Sequence, residues 1–536
     1  MKFDLLIKNG KIIDGTGNPW FKGDIGIKNG KIIKVGRISP EKKMDRVIDA
    51  RGLIVAPGFI DIHAHDDLMF FRDIYNKPKL FQGVTTVVAG NCGMSPAPVN
   101  KKTLKILNSY LGINHGKNID FDWVSYGEYL NKLESLGNLG TNFVGLVGHG
   151  TLRIAVMGMD DRNPTEKELK EMKKLVSQSI NDGAFGVSSG LIYPPGVYSK
   201  TEELVELLRG VAKYGGIYST HIRDEADHLF SALDEAIRIG VEAKVPIEIS
   251  HHKAAGKFNW GKIDKTLKMI EEARKNGVDI TVDAYPYLAG ASFLGAILPP
   301  FAHEGGEEKL KERCKDPRER GRMREFIEEK TDWQNFIKQT GCENIVLTYS
   351  LNYPEFIGKN ILEISKEWNK SIYDTIFEII ANDGTDAEMI IFMMNEKDLE
   401  KVISCPYTII GTDGVDEGIG IPHPRTYGTF PRILGVYVRD RKLLNIEEAI
   451  RKMTSFPAQK IGLKDRGLIK EGFWADIVVF DADRIIDKAT YKEPRNKPEG
   501  IEYVIVNRVI SVEKGNLTGK RGGKVLKKNN YLTLGL

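Results

Sequence analysis

From about residue 57 onward the chain repeats one pattern: a short, almost wholly apolar run, a loop, and a longer stretch whose apolar residues are spaced by three and four. Runs buried on both faces suit a parallel sheet, and the amphipathic stretches suit crossover helices laid over it. Strand candidates are 58–63, 84–90, 142–148, 184–189, 217–221, 246–250, 278–284 and 407–412, with helices at 201–214, 229–243 and 264–276 among the crossovers. Eight strands alternating with helices predict an α/β fold of the (β/α)8 TIM-barrel kind over 57–464. A ninth run, 388–393 (EMIIFM), reads equally well as a strand, so one of the nine belongs outside the barrel. Residues 299–345 break the rhythm, opening with LPPFAHEGG and running into a charged helical stretch. They are expected to form an insertion at the barrel mouth and a candidate lid.

The two ends have a different texture. Residues 1–56 alternate short β-branched runs with turns, and Lys-Asn-Gly-Lys-Ile-Ile occurs twice, marking hairpins at Asn9-Gly10 and Asn29-Gly30. The stretch from about 465 to 536 repeats that texture in ADIVVFDAD and IEYVIVNRVISVEKGNLTG. Two such pieces at opposite ends of a chain combine most simply into one small β-sandwich.

Composition narrows the picture. The 536 residues are too many for one compact core and fit a barrel of roughly 250 to 400 residues plus a smaller domain. Lys plus Arg number 77 against 73 Asp plus Glu, a net charge of +4, which argues against nucleic acid as a partner. Charged residues at 28% lean toward a heat-adapted source. Four cysteines in so long a chain make no disulfide framework, and the N-terminus MKFDLLIKNG has no apolar signal core, so a cytoplasmic protein is expected. No run approaches a membrane span, and the expected partner is a small-molecule substrate. The oligomeric state is not written in the chain.

The chemistry collects where the strands end. In PGFIDIHAHDD an apolar run finishes in His63-Ala64-His65, and alternation along a strand puts both imidazoles on one side. An isolated His-x-His equally describes two ordinary loop histidines; its neighbours at the other strand ends decide between the readings. These are Asn91-Cys92-Gly93, His149, His221, His251-His252 and Asp413, so at least half of the ten histidines fall at strand ends. Barrel active sites lie at that end, and imidazoles with a thiolate and a carboxylate form a zinc-type ligand set. A free cysteine is most often a small buried hydrophobe, but Cys92 stands in a Gly-rich turn at a strand mouth and reads as a ligand. Alternation allows only one of His251 and His252 to face the site; His251 is taken as the ligand and His252 as structural. His149 is expected to line the pocket or support a ligand, and His115, His228 and His303 to serve surface or packing roles.

GFIDIHAHDD, QGVTTVVAGNCGMSPAP, YSTHIRDE, ISHHKAAG, VDAYPYLAG, IIGTDG, HPRTYGTFPRILG and DRGLIKEGFWADIVVFD together resemble the amidohydrolase superfamily, and within it the N-acyl-D-amino-acid deacylases, or D-aminoacylases. The resemblance covers almost the whole chain. It implies a zinc-dependent hydrolase with a split β-sandwich beside a metal-bearing barrel, cleaving N-acyl-D-amino acids to a carboxylate and a free D-amino acid. Many members of the superfamily bridge two metals with a carboxylated lysine on the fourth strand; GAFGVSSGLIY offers no lysine, and Cys92 stands where this branch is expected to use a cysteine. The resemblance then implies that Cys92, His221 and His251 hold a tightly bound zinc, with His63 and His65 forming a second, weaker position.

An amide is a poor electrophile with a poor leaving group, so the site must supply a nucleophile, polarise the carbonyl and protonate the nitrogen. Asp413 is placed to move that proton, although a carboxylate there also suits a metal ligand. A substrate carboxylate needs a cation, for which Lys253, Arg425 and Arg432 are candidates, with Tyr285 and Ser292 as hydrogen-bond donors. Phe293, Leu294 and Ile297 suggest a subsite for an apolar rather than an acidic side chain. The rival readings are an amidohydrolase acting on cyclic amides, in the manner of hydantoinases and dihydroorotases, or on D- or iso-dipeptides. More remote is an inactive scaffold relative, which should have lost ligands that this chain keeps.

Overall fold

A computed structural model describes residues 2–39, 44–112, 119–416 and 418–531. Eight parallel strands form the centre of the fold: β1 (Phe59–Asp61), β2 (Val84–Ala89), β3 (Asn142–Gly145, continued by Val147–Gly148), β4 (Gly186–Gly190), β5 (Ile217–His221), β6 (Ile247–Ile249), β7 (Ile280–Ala284) and β8 (Thr408–Ile410). Pairing runs β1-β2-β3 and then β3-β4-β5-β6-β7-β8. Two links close the ring. The Phe185 amide donates to Gly145 O at 2.8 Å beside β3, and a parallel bridge joins Ala64 to Gly414 just beyond β1 and β8. Every residue of these strands is buried, as expected for a parallel sheet wrapped by helices.

The wrapping helices show why the three-and-four spacing was legible. Thr201–Ala212 buries Leu204, Val205, Leu207, Leu208 and Val211, and Leu229–Ala243 buries Leu229, Leu233, Ala236 and Ile239. Thr165 and Ser125 cap their helices through reciprocal bonds with Glu168 and Glu128.

The ninth strand candidate lies outside the barrel. Glu388–Phe392 is the middle strand of an antiparallel sheet, flanked by Ala289–Phe293 and Ile345–Tyr349. This sheet, with helices such as Glu307–Lys315 and Ile372–Asp383, surrounds a second apolar core containing Leu294, Ile297, Leu347, Met389 and Ile391. The unit between β7 and β8 is therefore wider than 299–345, beginning at Ala289 and returning to the barrel after Phe392.

Both chain ends contribute to one branched nine-stranded sheet, with Phe3–Ile12 at the branch: its first half pairs with Met44–Asp49 and its last residues with Ile54–Pro57. The C-terminal strand Ile477–Phe480 pairs antiparallel with Ile54–Pro57, and the sheet encloses Leu5, Ile25, Ile48, Ile477 and Ile505. No helix among the described residues is long and apolar enough to cross a membrane. His115 lies outside the described residues.

Candidate metal centre and substrate cleft

The loop after β2 explains the Gly-Asn-Cys-Gly sequence. Gly90 has φ +82° and a Cβ there would meet Leu146 O at 2.0 Å; Gly93 has φ +78° and a Cβ there would meet the Gly190 amide nitrogen at 2.8 Å. Only glycine fits at either position, and the pair fixes Cys92 over the barrel mouth. Cys92 itself has φ +52°, His251 +34° and Asp413 +49°. Each such backbone costs roughly 1–3 kcal/mol in a non-glycine residue, so three of them at one site mark geometry held for function.

These three residues converge. Cys92 Sγ lies 3.3 Å from His63 Nε2, 3.6 Å from His251 Nε2 and 3.9 Å from His221 Nδ1. Asp413 Oδ1 accepts from His65 Nε2 at 3.0 Å and is 3.4 Å from His63 Nε2. Donor atoms of His63, Cys92, His251 and Asp413 all lie within 4.8 Å of one another, and those of His221, Glu225 and His251 form an overlapping group. The supporting contacts are buried carboxylates: Asp283 meets His63 Nδ1 at 3.1 Å and accepts the His251 amide at 2.8 Å, and Glu225 meets His251 Nδ1 at 2.9 Å. Imidazole ligands anchored by carboxylates in this way are typical of metal sites. The ring nitrogens that face the cluster are His221 Nδ1 and His65 Nε2, each turned toward Cys92 or Asp413. A soft sulfur with imidazoles and carboxylates fits zinc.

The electrostatics favour the ligand forms. Burial alone would raise the Cys92 thiol, but His63, His221 and His251 outweigh it and hold it well below its ordinary value. Burial also opposes ionisation of Asp413 and Glu225. Arg425 with the neighbouring imidazoles keeps Asp413 well below the carboxylate range, and Lys253 with His221 and His251 lowers Glu225. His252 is pushed down to about 4 by burial and then by Lys253; its Nε2 meets Thr266 Oγ1 at 2.8 Å, so it is a packed, neutral histidine outside the cluster.

A cleft opens over the cluster, lined by His65, Cys92, His221, His251, Asp413, Tyr285, Ser292, Lys253 and Arg425 among others. Arg425 is 2.9 Å from Asp413 Oδ2 and lies over the Tyr285 ring, 4.5 Å from its centroid. Ser292 Oγ donates to the Tyr193 hydroxyl at 3.3 Å. Lys253 reaches the cleft already committed to Glu225 at 2.5 Å. Phe336, from the unit between β7 and β8, adds to the wall.

Other expectations need correction. Arg432 is not brought to the site: it ends the helix Arg425–Arg432, about 10 Å along the axis from Arg425. There it donates to Pro286 O at 2.7 Å and pairs with Asp487 at 3.3 Å. His149 bonds Glu203 at 2.7 Å in a buried group with Arg153, separate from the cluster. Leu294 and Ile297 pack into the second core, and Phe293 lies against the rings of Tyr193 and His303, so none of the three forms the cleft wall. His303, buried and bonded to Gly295 O, and the exposed His228, bonded to Thr331 O, do have the packing and surface roles expected of them. Glu225, Asp283 and Tyr193 also serve the site; the first stands four residues after His221 and the second near the end of β7, the signals by which the sequence marks them.

Comparison with known proteins places this geometry. The model of the Amidohydrolase family matches residues 46–325 and 406–512. The D-aminoacylase of Alcaligenes xylosoxydans xylosoxydans is 37% identical over 98% of this chain and 97% of its own. A D-aminoacylase structure from work on its binuclear metal centre, with one metal activating and the second attenuating, is 36% identical with a TM-score of 0.84, covering 98% of this chain and 100% of that one. The N-acyl-D-glutamate deacylase of Bordetella bronchiseptica, bound to zinc and a phosphonate mimic of the tetrahedral intermediate, is 32% identical with a TM-score of 0.83 and the same coverage. By a family match over most of its length and relatives more than 30% identical over nearly all of it, this chain belongs to the amidohydrolase family, in its D-aminoacylase branch.

Proposed function

We propose that this chain hydrolyses the amide bond of N-acyl-D-amino acids in a zinc-dependent reaction, releasing a carboxylate and the free D-amino acid. The observation that carries the reading is Arg425, buried 2.9 Å from Asp413 in the wall of the cleft that holds the ligand cluster. A cation for a free carboxylate thus stands beside a group able to move a proton. Cys92, His221 and His251 would hold the tight zinc, with His63, His65 and Asp413 at a second, weaker position. Bound there, zinc supplies Lewis-acid chemistry, lowering the pKa of a water to about 7 and drawing electron density from an amide carbonyl.

The chain's own residues do the rest. Arg425 grips the substrate carboxylate, with Tyr285 beneath the guanidinium and Ser292 on the facing strand, and so fixes the scissile amide over the cluster. As it does so, the guanidinium is shared with the substrate, and Asp413 loses part of the charge that holds it ionised. Asp413 then takes the proton of the attacking water at an Oδ and returns it to the departing nitrogen. Glu225 and Asp283 keep His251 and His63 in one tautomer and orientation. The likeness to D-aminoacylase supports the D-handedness of this reading.

The test compares N-acetyl-D-methionine with its carboxamide, N-acetyl-D-methioninamide. A free carboxylate gripped by Arg425 predicts a kcat/KM at least about 100-fold higher for the acid, the worth of a charge-assisted bidentate contact. Equal rates, or faster opening of a hydantoin ring, would reject the reading.

A further inference from the structure

One wall of the cleft contains a carboxyl that the reaction above does not use. The strand Glu388–Phe392 sends Met389 and Ile391 into the second core, and alternation leaves Glu388 and Ile390 on its other face. Glu388 lines the cleft that holds the cluster, as do Met389, Ile390 and Ile391 of the same strand. Its side chain is half-buried beside its cross-strand neighbours Phe293 and Tyr349, and it has no hydrogen bond or ion pair among the described residues. Burial first, then the nearby Asp416 and Asp386, push its carboxyl up to about 8, against the weaker pull of Arg72 and Arg495. Arg495 is already spent on Asp416, with bonds of 3.1 and 2.8 Å. A partly desolvated carboxyl without a partner is costly, and a strand has no intrinsic use for glutamate.

The cations of the cleft are committed in the opposite sense. Lys253 is held by Glu225, and Arg425 by Asp413 until a substrate carboxylate arrives. Among the described residues that line the cleft, a substrate side chain ending in a carboxylate would therefore find both cations committed and would meet Glu388 instead. One ending in a guanidinium or ammonium would favour the ionised form of Glu388, whose proton passes to solvent, and would find its counter-ion there.

We propose that Glu388 determines side-chain specificity, so that the cleft prefers N-acyl-D-amino acids with a cationic side chain and rejects acidic ones. This rests on the deacylase reading and narrows its substrate class. It also separates this chain from the N-acyl-D-glutamate deacylase that it resembles overall.

The zinc-loaded enzyme and its Glu388→Gln variant are assayed with N-acetyl-D-arginine, N-acetyl-D-lysine, N-acetyl-D-methionine and N-acetyl-D-glutamate. The wild type should cleave the arginine or lysine substrate with a kcat/KM at least about 100-fold above that for glutamate. Glu388→Gln should lower the arginine-to-methionine ratio about 10- to 100-fold, the worth of one charge-assisted contact in a partly buried site, while surviving methionine turnover reports a folded variant. Glutamate cleaved as fast as arginine, or a ratio that Glu388→Gln leaves unchanged, would overturn the proposal; should the variant not fold, the wild-type panel alone decides. Failure of the wild type on all four substrates would reject the deacylase reading itself, and the proposal with it.

Discussion

Replacing Asp413 by asparagine separates its chemical role from its structural ones. The amide is nearly isosteric and keeps an oxygen toward His65 Nε2, now 3.0 Å away, but it can neither hold a proton in flight nor balance Arg425 at 2.9 Å. Loss of a positioned general acid/base costs about 10²- to 10⁴-fold in rate, or about 3–5 kcal/mol at 1.36 kcal/mol per decade. The same change strips a buried guanidinium of its counter-charge, which typically costs about 3–5 kcal/mol of stability. The two effects are read separately, with kcat and KM for N-acetyl-D-methionine on one side and Tm and zinc content on the other. Asp413→Asn should stay zinc-loaded through Cys92, His221 and His251, melt at a lower temperature, and lose 10²- to 10⁴-fold in kcat, with KM changed less than about tenfold. A folded, zinc-loaded variant whose kcat is within tenfold of wild type would refute the assignment, and the proton carrier would have to be sought elsewhere.

Further outcomes follow from neighbouring groups. Cys92→Ala should strip the tight zinc and nearly all activity, whereas His252→Ala should leave zinc content intact; elemental analysis of both proteins decides, and the reverse pattern would exchange the two histidines' roles. Lys79 is fully buried between Asp61, 2.7 Å away, and the Thr412 hydroxyl, 2.5 Å away, so Lys79→Met leaves Asp61 an unpaired buried charge and should cost about 3–5 kcal/mol in denaturant melts. Glu203 would be raised by burial, but His149 and Arg153 hold it below its ordinary range. Its folded pKa is thus below its unfolded one, so its stabilisation is full above the ordinary carboxylate pKa and is lost as pH falls through the folded value. Glu203→Gln should lower Tm at neutral pH and flatten the acid decline below about pH 4.5; an unchanged acid limb would mean that this group carries none of the linkage.

The barrel and most of the cluster at its mouth were legible because each rests on local rules. Apolar runs buried on both faces mark parallel strands, and the end of each run marks where side chains enter the mouth; His63, His65, Cys92, His221, His251 and Asp413 all follow from that. His251 turns toward Cys92 and His252 toward Thr266, although the strand ends at Ile249 and His251 has a left-handed backbone. What local rules could not supply was partnership. Glu225 and Asp283 are ordinary acids in the sequence and acquire a role only when β5, β6 and β7 bring them under the imidazoles. Lys253 and Arg425 look alike as cations and both line the cleft, yet one is held by Glu225 and the other by Asp413. Arg432 shares a motif with Arg425, but two helical turns carry it out of reach. The ninth strand could not be sorted from the eight because its apolar run is as long as theirs; its antiparallel pairing with Ala289–Phe293 and Ile345–Tyr349 is set by residues far away in sequence.

The most direct test of the whole account is hydrolysis of matched N-acetyl-D- and N-acetyl-L-methionine by one purified sample whose zinc content is measured alongside. The account predicts zinc near one per chain and cleavage of the D-form alone. Bound zinc with neither form cleaved, or the two forms cleaved alike, would contradict it.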